Sequence, residues 1–192
     1  MIEILAALSA SAAAGMRVAL PLLVIGLLHS TNLWSSVPLL SRFPPPVVLG
    51  VLTSWSLFEL FASKKLLGQR VLQLIQLVFS PIVGAIMGVA VAQIAGASTW
   101  VLWIVAVVGS LLALVLQLVQ VGWFYRLRRL PLWVVFLQDV LCIALVIFAF
   151  DAPKHGGLIA LLLLWLAIRS SKEWYRWYRG HKLSRGHYQQ PD

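Results

Sequence analysis

Charge is scarce in this chain, and what there is comes mostly in one sign. Only 11% of the 192 residues are charged, whereas 61% are hydrophobic and the mean hydropathy is +0.92. A water-soluble domain of this length cannot hide so much apolar surface, so lipid is the expected solvent. Acidic residues are the scarcer kind, six Asp and Glu against fifteen Lys and Arg. The resulting +9 does not read as a nucleic-acid footprint, because the basic residues gather at the edges of apolar runs, as at a membrane–cytoplasm boundary. A single cysteine, Cys142, excludes an internal disulfide and any Cys-based zinc cluster. Histidine is missing from the apolar runs: His29, His155, His181 and His187 lie at ends or in the tail, which argues against haem ligation within a bilayer. There is no P-loop, dinucleotide fingerprint, HExxH or GxSxG. No enzyme activity, cofactor or metal is therefore expected. Strict alternation is also lacking, which disfavours a closed β-barrel.

What the chain has is long apolar runs. A hydrocarbon core of ~30 Å takes about 20 residues of helix. On that ruler, runs near 4–28, 46–63, 71–95, 99–122, 132–150 and 157–174 predict an all-α polytopic membrane protein. The expected fold is a compact bundle of about six transmembrane helices, followed by a basic aromatic tail over 175–192. The breaks carry turn chemistry, as in "SKKLLGQR", "AGAST" and "DAPKHGG". Residues 4–14 and "SAAAG" have the look of a signal peptide, but Glu3 precedes them and no Lys or Arg does, so the segment is expected to stay as a helix.

Six crossings put the second and fourth inter-span loops on the same side as the tail. That side holds Lys64, Lys65, Arg70, Arg126, Arg128, Arg129 and the basic tail, while the other has only Arg42 and Lys154. The positive-inside rule then predicts both termini in the cytoplasm, in a cytoplasmic (inner) membrane or an internal membrane such as a thylakoid. Arg169, Lys172, Trp174, Arg176, Trp177 and Arg179 form an aromatic and basic collar, expected to meet anionic lipid headgroups at the cytoplasmic face. Membrane lipids are thus the expected partners, with a second copy or a membrane-complex component as the expected kind of protein partner, and no nucleic acid.

Three charges fall inside the apolar runs: Arg17 in the first, Glu59 in the second and Asp139 in the fifth. An ionised group at bilayer depth costs at least ~3 kcal/mol, so such groups pair, neutralise or line water. Arginine keeps its proton and needs an acceptor. Glu59 is the first-choice partner and Asp139 the second. Pro21 has no N–H for the carbonyl of Arg17, which predicts a kink in the first helix, and Pro81 predicts a second kink beyond Ser80. Polar residues recur at helical spacing: Thr53, Ser56, Glu59 and Ser63, then Gln69, Gln73, Gln76 and Ser80. Gln117 and Gln120 mark the fourth run, and Gln138 the fifth. These stripes serve either as interhelical hydrogen bonds, each worth about 0.6 kcal/mol, or together as a hydrated interior. Ala7, Ser11, Gly15 and Ala19 make a small-residue ridge, with Ala6, Ala10 and Ala14 beside it, and Gly84 and Gly88 make a GxxxG. Such ridges let helices approach closely.

The stretches "AAAGMRVALPLLVIGLL" and "LFELFASKKLLGQRVLQLIQLVFSPIVGAIMGVAVA" resemble the bacterial membrane family catalogued as domain of unknown function 4126. The "AAGxRxxLP" element is the most specific part. Arg17, Pro21, Glu59, Lys64 and Pro81 match the family's pattern, whereas Ser63 stands where it has an aspartate and no arginine precedes Pro81. The family has no established activity, so the resemblance implies the membrane fold and little about function. Two functions are expected to compete. One is a small transporter or channel-like protein with a polar interior around Arg17, Pro21, Glu59, Gln73, Gln76, Ser80 and Asp139, favouring an anionic or zwitterionic solute. The other is a non-catalytic membrane subunit, assembly factor or lipid-organising protein in which the buried charges are structural.

Overall fold

The structure is a computed structural model describing residues 2–28, 44–62, 66–127 and 132–186. Among these residues it is all helical: α1 (Ile2–Met16), α2 (Ala19–Leu28), α3 (Pro45–Ala62), α4 (Leu66–Ile94), α5 (Thr99–Leu127), α6 (Leu132–Asp151) and α7 (Pro153–Gly186). Two stretches, Val71–Ile94 of α4 and Thr99–Trp123 of α5, are long and apolar enough to cross a membrane.

The first apolar run is two helices, where the sequence predicts one with a kink. Regular helix stops at Met16 and resumes at Ala19. Pro21 is the cause: it offers no N–H to the Arg17 carbonyl, and its ring crowds that carbonyl. Sitting in the first turn of α2, Pro21 loses nothing there, because that N–H would have no intrahelical acceptor. Pro81 acts otherwise, for α4 runs through it uninterrupted.

The alanine-rich α1 is the hub of the bundle, packed on α4, α5, α6 and α7. A helix surrounded on all sides needs small or apolar residues all round, and every residue from Ser9 to Met16 is buried. One ridge meets the α4–α5 pair. Ala7 packs with Ala92 and Val105, and the Ser11 hydroxyl donates to the Gly84 carbonyl at 2.9 Å. A methyl group on Gly15 would lie 2.7 Å from Ala113 Cα, so only glycine fits there. The opposite face meets α6, where Ser9 donates to the Leu145 carbonyl at 2.7 Å and the Cys142 thiol to that of Ala13 at 3.4 Å.

Helices α4 and α5 form an antiparallel hairpin. Its turn is a Schellman cap: Ala97 N–H bonds the Ala92 carbonyl, Gly96 N–H bonds that of Gln93, and Gly96 adopts φ +79°. Down the hairpin Gly84 faces Gly109, Ser80 donates to the Ala113 carbonyl, and Gln117 donates to Gln76. This register sets Gln73 level with Gln120. Gly84 and Gly88 therefore serve packing within the chain, against α5 and Ser11.

Large apolar side chains cover the outer faces. Trp100 and Trp103 are exposed to 83% and 72%, with Leu74, Val78, Phe136, Leu162 and Trp165 also open. Helix α3 is peripheral and lies against α2 and α4. The polar stripe on α3 does not face inward as a unit. Thr53 is exposed and bonds back to the Leu49 carbonyl of its own helix, Ser56 is half-buried, and Glu59 is buried. Ser63 lies outside the described residues.

Candidate functional site

The break between α1 and α2 creates the site. Its two residues, Arg17 and Val18, lie where the helical ladder is interrupted, and Arg17 is buried there with 6% exposure. Arg17 N–H still closes the last turn of α1 on the Ala13 carbonyl at 3.1 Å. The Met16 carbonyl, which a continuous helix would satisfy from Leu20, instead accepts from Gln138 Nε2 at 2.7 Å. Thus a side chain of α6 fills the place left open by the break between α1 and α2.

The guanidinium is shared by two carboxylates on different helices. Arg17 Nε donates to Asp139 Oδ1 at 2.8 Å and Nη2 to Oδ2 at 3.5 Å, a two-pronged pairing. Nη1 lies 3.6 Å from Glu59 Oε2. The sequence ranks Glu59 ahead of Asp139 as the partner; the structure engages both and gives Asp139 the tighter bond. The reason is the break, which turns Arg17 toward α6, where Gln138 and Asp139 meet Met16 and Arg17 in succession.

Glu59 takes part in a polar relay. Its Oε1 accepts from Trp55 Nε1, one turn earlier on α3, at 2.9 Å and from Gln76 Nε2 at 3.1 Å. Gln76 Oε1 in turn accepts from Gln117 Nε2 at 3.4 Å. On the other flank Gln138 also donates to Gln120 Oε1 at 3.3 Å. One transverse layer, drawn from the break and from α3, α4, α5 and α6, therefore holds Arg17, Glu59, Asp139, Gln76, Gln117, Gln120 and Gln138. Among the buried side-chain polar atoms described, Gln73 Oε1, Gln93 Oε1 and Gln117 Oε1 have no hydrogen-bond partner.

Other predicted positions lie outside this layer. Pro21 is buried and shapes the break. Ser80 is one turn along α4 from Gln76, bonded to the α5 backbone. In the headgroup collar, Arg169 lies over the ring of Trp165 at 5.3 Å and is exposed. Lys172, Trp174, Arg176, Trp177 and Arg179 fall on α7, but their side chains lie outside the described set. Among the described residues no group of three His, Cys, Asp or Glu gathers to hold a metal. Two participants escaped the sequence reading. Trp55 could have been found from its spacing of four before Glu59, whereas the Met16 carbonyl carries no side-chain signal at all.

A family model matches residues 4–173, nearly the whole chain; its description is domain of unknown function (DUF4126). No curated protein and no solved structure matches the chain.

Proposed function

The chain belongs to the DUF4126 family, and from the geometry of its buried ion cluster we propose that it is a multi-pass membrane protein working as a small transporter or channel. The outward apolar surface supports the membrane part of this reading. Trp100, Trp103, Leu74, Phe136 and Leu162 are all more than half exposed, on four different helices, a display that water would not tolerate and lipid would. With about six crossings the positive-inside rule puts both termini in the cytoplasm.

The observation that carries the transport reading is Arg17 held at a helix break by carboxylates from two other helices. Broken helices with buried charge mark solute sites in transporters because the interrupted backbone and the charge together hold polar groups where lipid cannot. The geometry also narrows the solute. Nε and Nη2 of the guanidinium already face Asp139 and Nη1 faces Glu59, so a simple anion would have to enter beside two carboxylates. A zwitterion exchanges like for like. Its carboxylate takes the Arg17 edge that Glu59 holds only at 3.6 Å, while its ammonium compensates the displaced glutamate. The rival reading, a membrane subunit or assembly factor in which the triad only pins helices, draws on the Arg17–Asp139 pairing, which fixes the α1–α2 break to α6.

Reconstituted proteoliposomes separate the two. Uptake of labelled zwitterions, amino acids and betaine among them, is expected in the wild type and lost in Arg17→Gln, with the variant still folded in detergent. A variant that disappears from the membrane, or a wild type without uptake that purifies with a stoichiometric protein, supports the rival.

A further inference from the structure

The apolar crossing stretch of α5 ends at Trp123. Trp123 Nε1 donates to the Ser170 hydroxyl of α7 at 2.8 Å, which sets Ser170 and its neighbour Arg169 at the level where α5 leaves the apolar layer. Arg169 is exposed, and its guanidinium lies over the Trp165 ring, 5.3 Å from the centroid. Stacking uses the face of the guanidinium and leaves its N–H edges free to donate. Among the described residues no carboxylate pairs with Arg169, and the Ser170 hydroxyl accepts from Trp123 while its own proton has no acceptor. Unused donors thus sit beside a positive charge. Next to them α7 carries an open apolar track, for Leu158, Leu162 and Trp165 are all more than half exposed. Steps of four and three, then four to Arg169, keep these residues on one helical face. From Leu158 to Arg169 the helix rises ~16 Å, about the depth of one leaflet of a ~30 Å hydrocarbon core.

We propose that this face of α5 and α7 binds one anionic phospholipid. Its phosphodiester takes the Arg169 guanidinium edge and the Ser170 hydroxyl, and one acyl chain lies along Trp165, Leu162 and Leu158. The guanidinium fork matches a pair of phosphate oxygens, and the apolar track favours a lipid over a free phosphate, which would gain nothing from it. Beyond Arg169, α7 carries Lys172, Arg176, Arg179, Lys182 and Arg185 against a single acid, Glu173, so this end of the helix attracts anions. A zwitterionic headgroup brings a cation of its own and is disfavoured there. The inference rests on the membrane part of the proposed function and is independent of transport.

Native mass spectrometry of the full chain, released from detergent micelles, tests this with phosphatidylglycerol and phosphatidylcholine of matched acyl chains at equal concentration. Phosphatidylglycerol is expected to be retained in preference. That preference should fall about fivefold in Arg169→Gln, the effect of one basic residue at an anionic surface, with Arg169→Lys between the two. Excess inorganic phosphate is expected not to displace the lipid. Equal retention of the two lipids, an undiminished preference in Arg169→Gln, or displacement by inorganic phosphate would overturn the proposal, the last in favour of a simple anion site. Loss of headgroup preference leaves the membrane reading standing, whereas a protein that stays monodisperse without detergent overturns that reading and this site with it. Should Arg169→Gln not fold, Ser170→Ala carries the same comparison, with a smaller loss expected.

Discussion

Arg17 Nε and Asp139 Oδ1 stand 2.8 Å apart, joining two helical elements separated by 122 residues of chain. The bond closes the bundle because Arg17 sits at the break beside the hub helix, whereas Asp139 comes from a helix on the rim of the cluster. Its arginine is 7% exposed and its aspartate 19% by side chain, so solvent screens the pair little.

Breaking that pair should be costly. Asp139→Ala is expected to destabilise the protein by about 3–5 kcal/mol, the range for leaving a buried charge without its partner. Glu59→Gln should cost distinctly less, because its contact with Arg17 is long and a glutamine oxygen still accepts from Trp55 and Gln76. Unfolding of the purified variants in detergent, followed by circular dichroism, checks the order. Equal losses would contradict it.

The break should behave as one unit with its α6 partner. Gln138→Leu strips the Met16 carbonyl of its donor and is expected to cost about 1–3 kcal/mol. Adding Pro21→Ala should recover part of that, since a continued helix supplies the Leu20 N–H to Met16. A double-mutant cycle measures the coupling. Strict additivity would show that the proline does not control the carbonyl.

Glycines that look alike in the sequence should respond in opposite ways. Gly15→Ala sets a methyl against the Ala113 backbone and should destabilise by about 1–3 kcal/mol. Gly50→Ala on α3 meets nothing within 4 Å and should be neutral or gain about 0.5–1 kcal/mol of helix propensity. Thermal midpoints of the two variants make the comparison.

Lipid contact can be read from the tryptophans. In bilayers with brominated acyl chains, Trp103, 72% exposed, should be quenched strongly, so Trp103→Phe lowers the quenched fraction. Trp55, half-buried and bonded to Glu59, should contribute little to it. Quenching unchanged by Trp103→Phe would place that face away from lipid.

Much of the helical arrangement is readable along the chain. Apolar runs and their punctuation locate α3 to α6 because length and hydropathy are local quantities, and "AGAST" ends α4 because Gly96 readily takes a positive φ. The small residues of α1 announce close packing, but which helix each one meets does not follow from their spacing. Thr53 shows the limit of periodicity: it shares a predicted stripe with Glu59 yet faces outward, since α3 packs only along a narrow strip.

By itself, then, the sequence determined that this protein is helical and overwhelmingly apolar, that Pro21 must disturb the first helix, and that Arg17 requires an acid. Each of these follows from the chemistry of single residues or of neighbours in the chain. Only the tertiary structure decided that the disturbance is a break capped by Gln138, that Asp139 holds Arg17 more closely than Glu59, and that Gln117 is left with an unpaired oxygen. Those outcomes depend on the register between helices, which is set by how small residues let backbones approach and is invisible in any one segment.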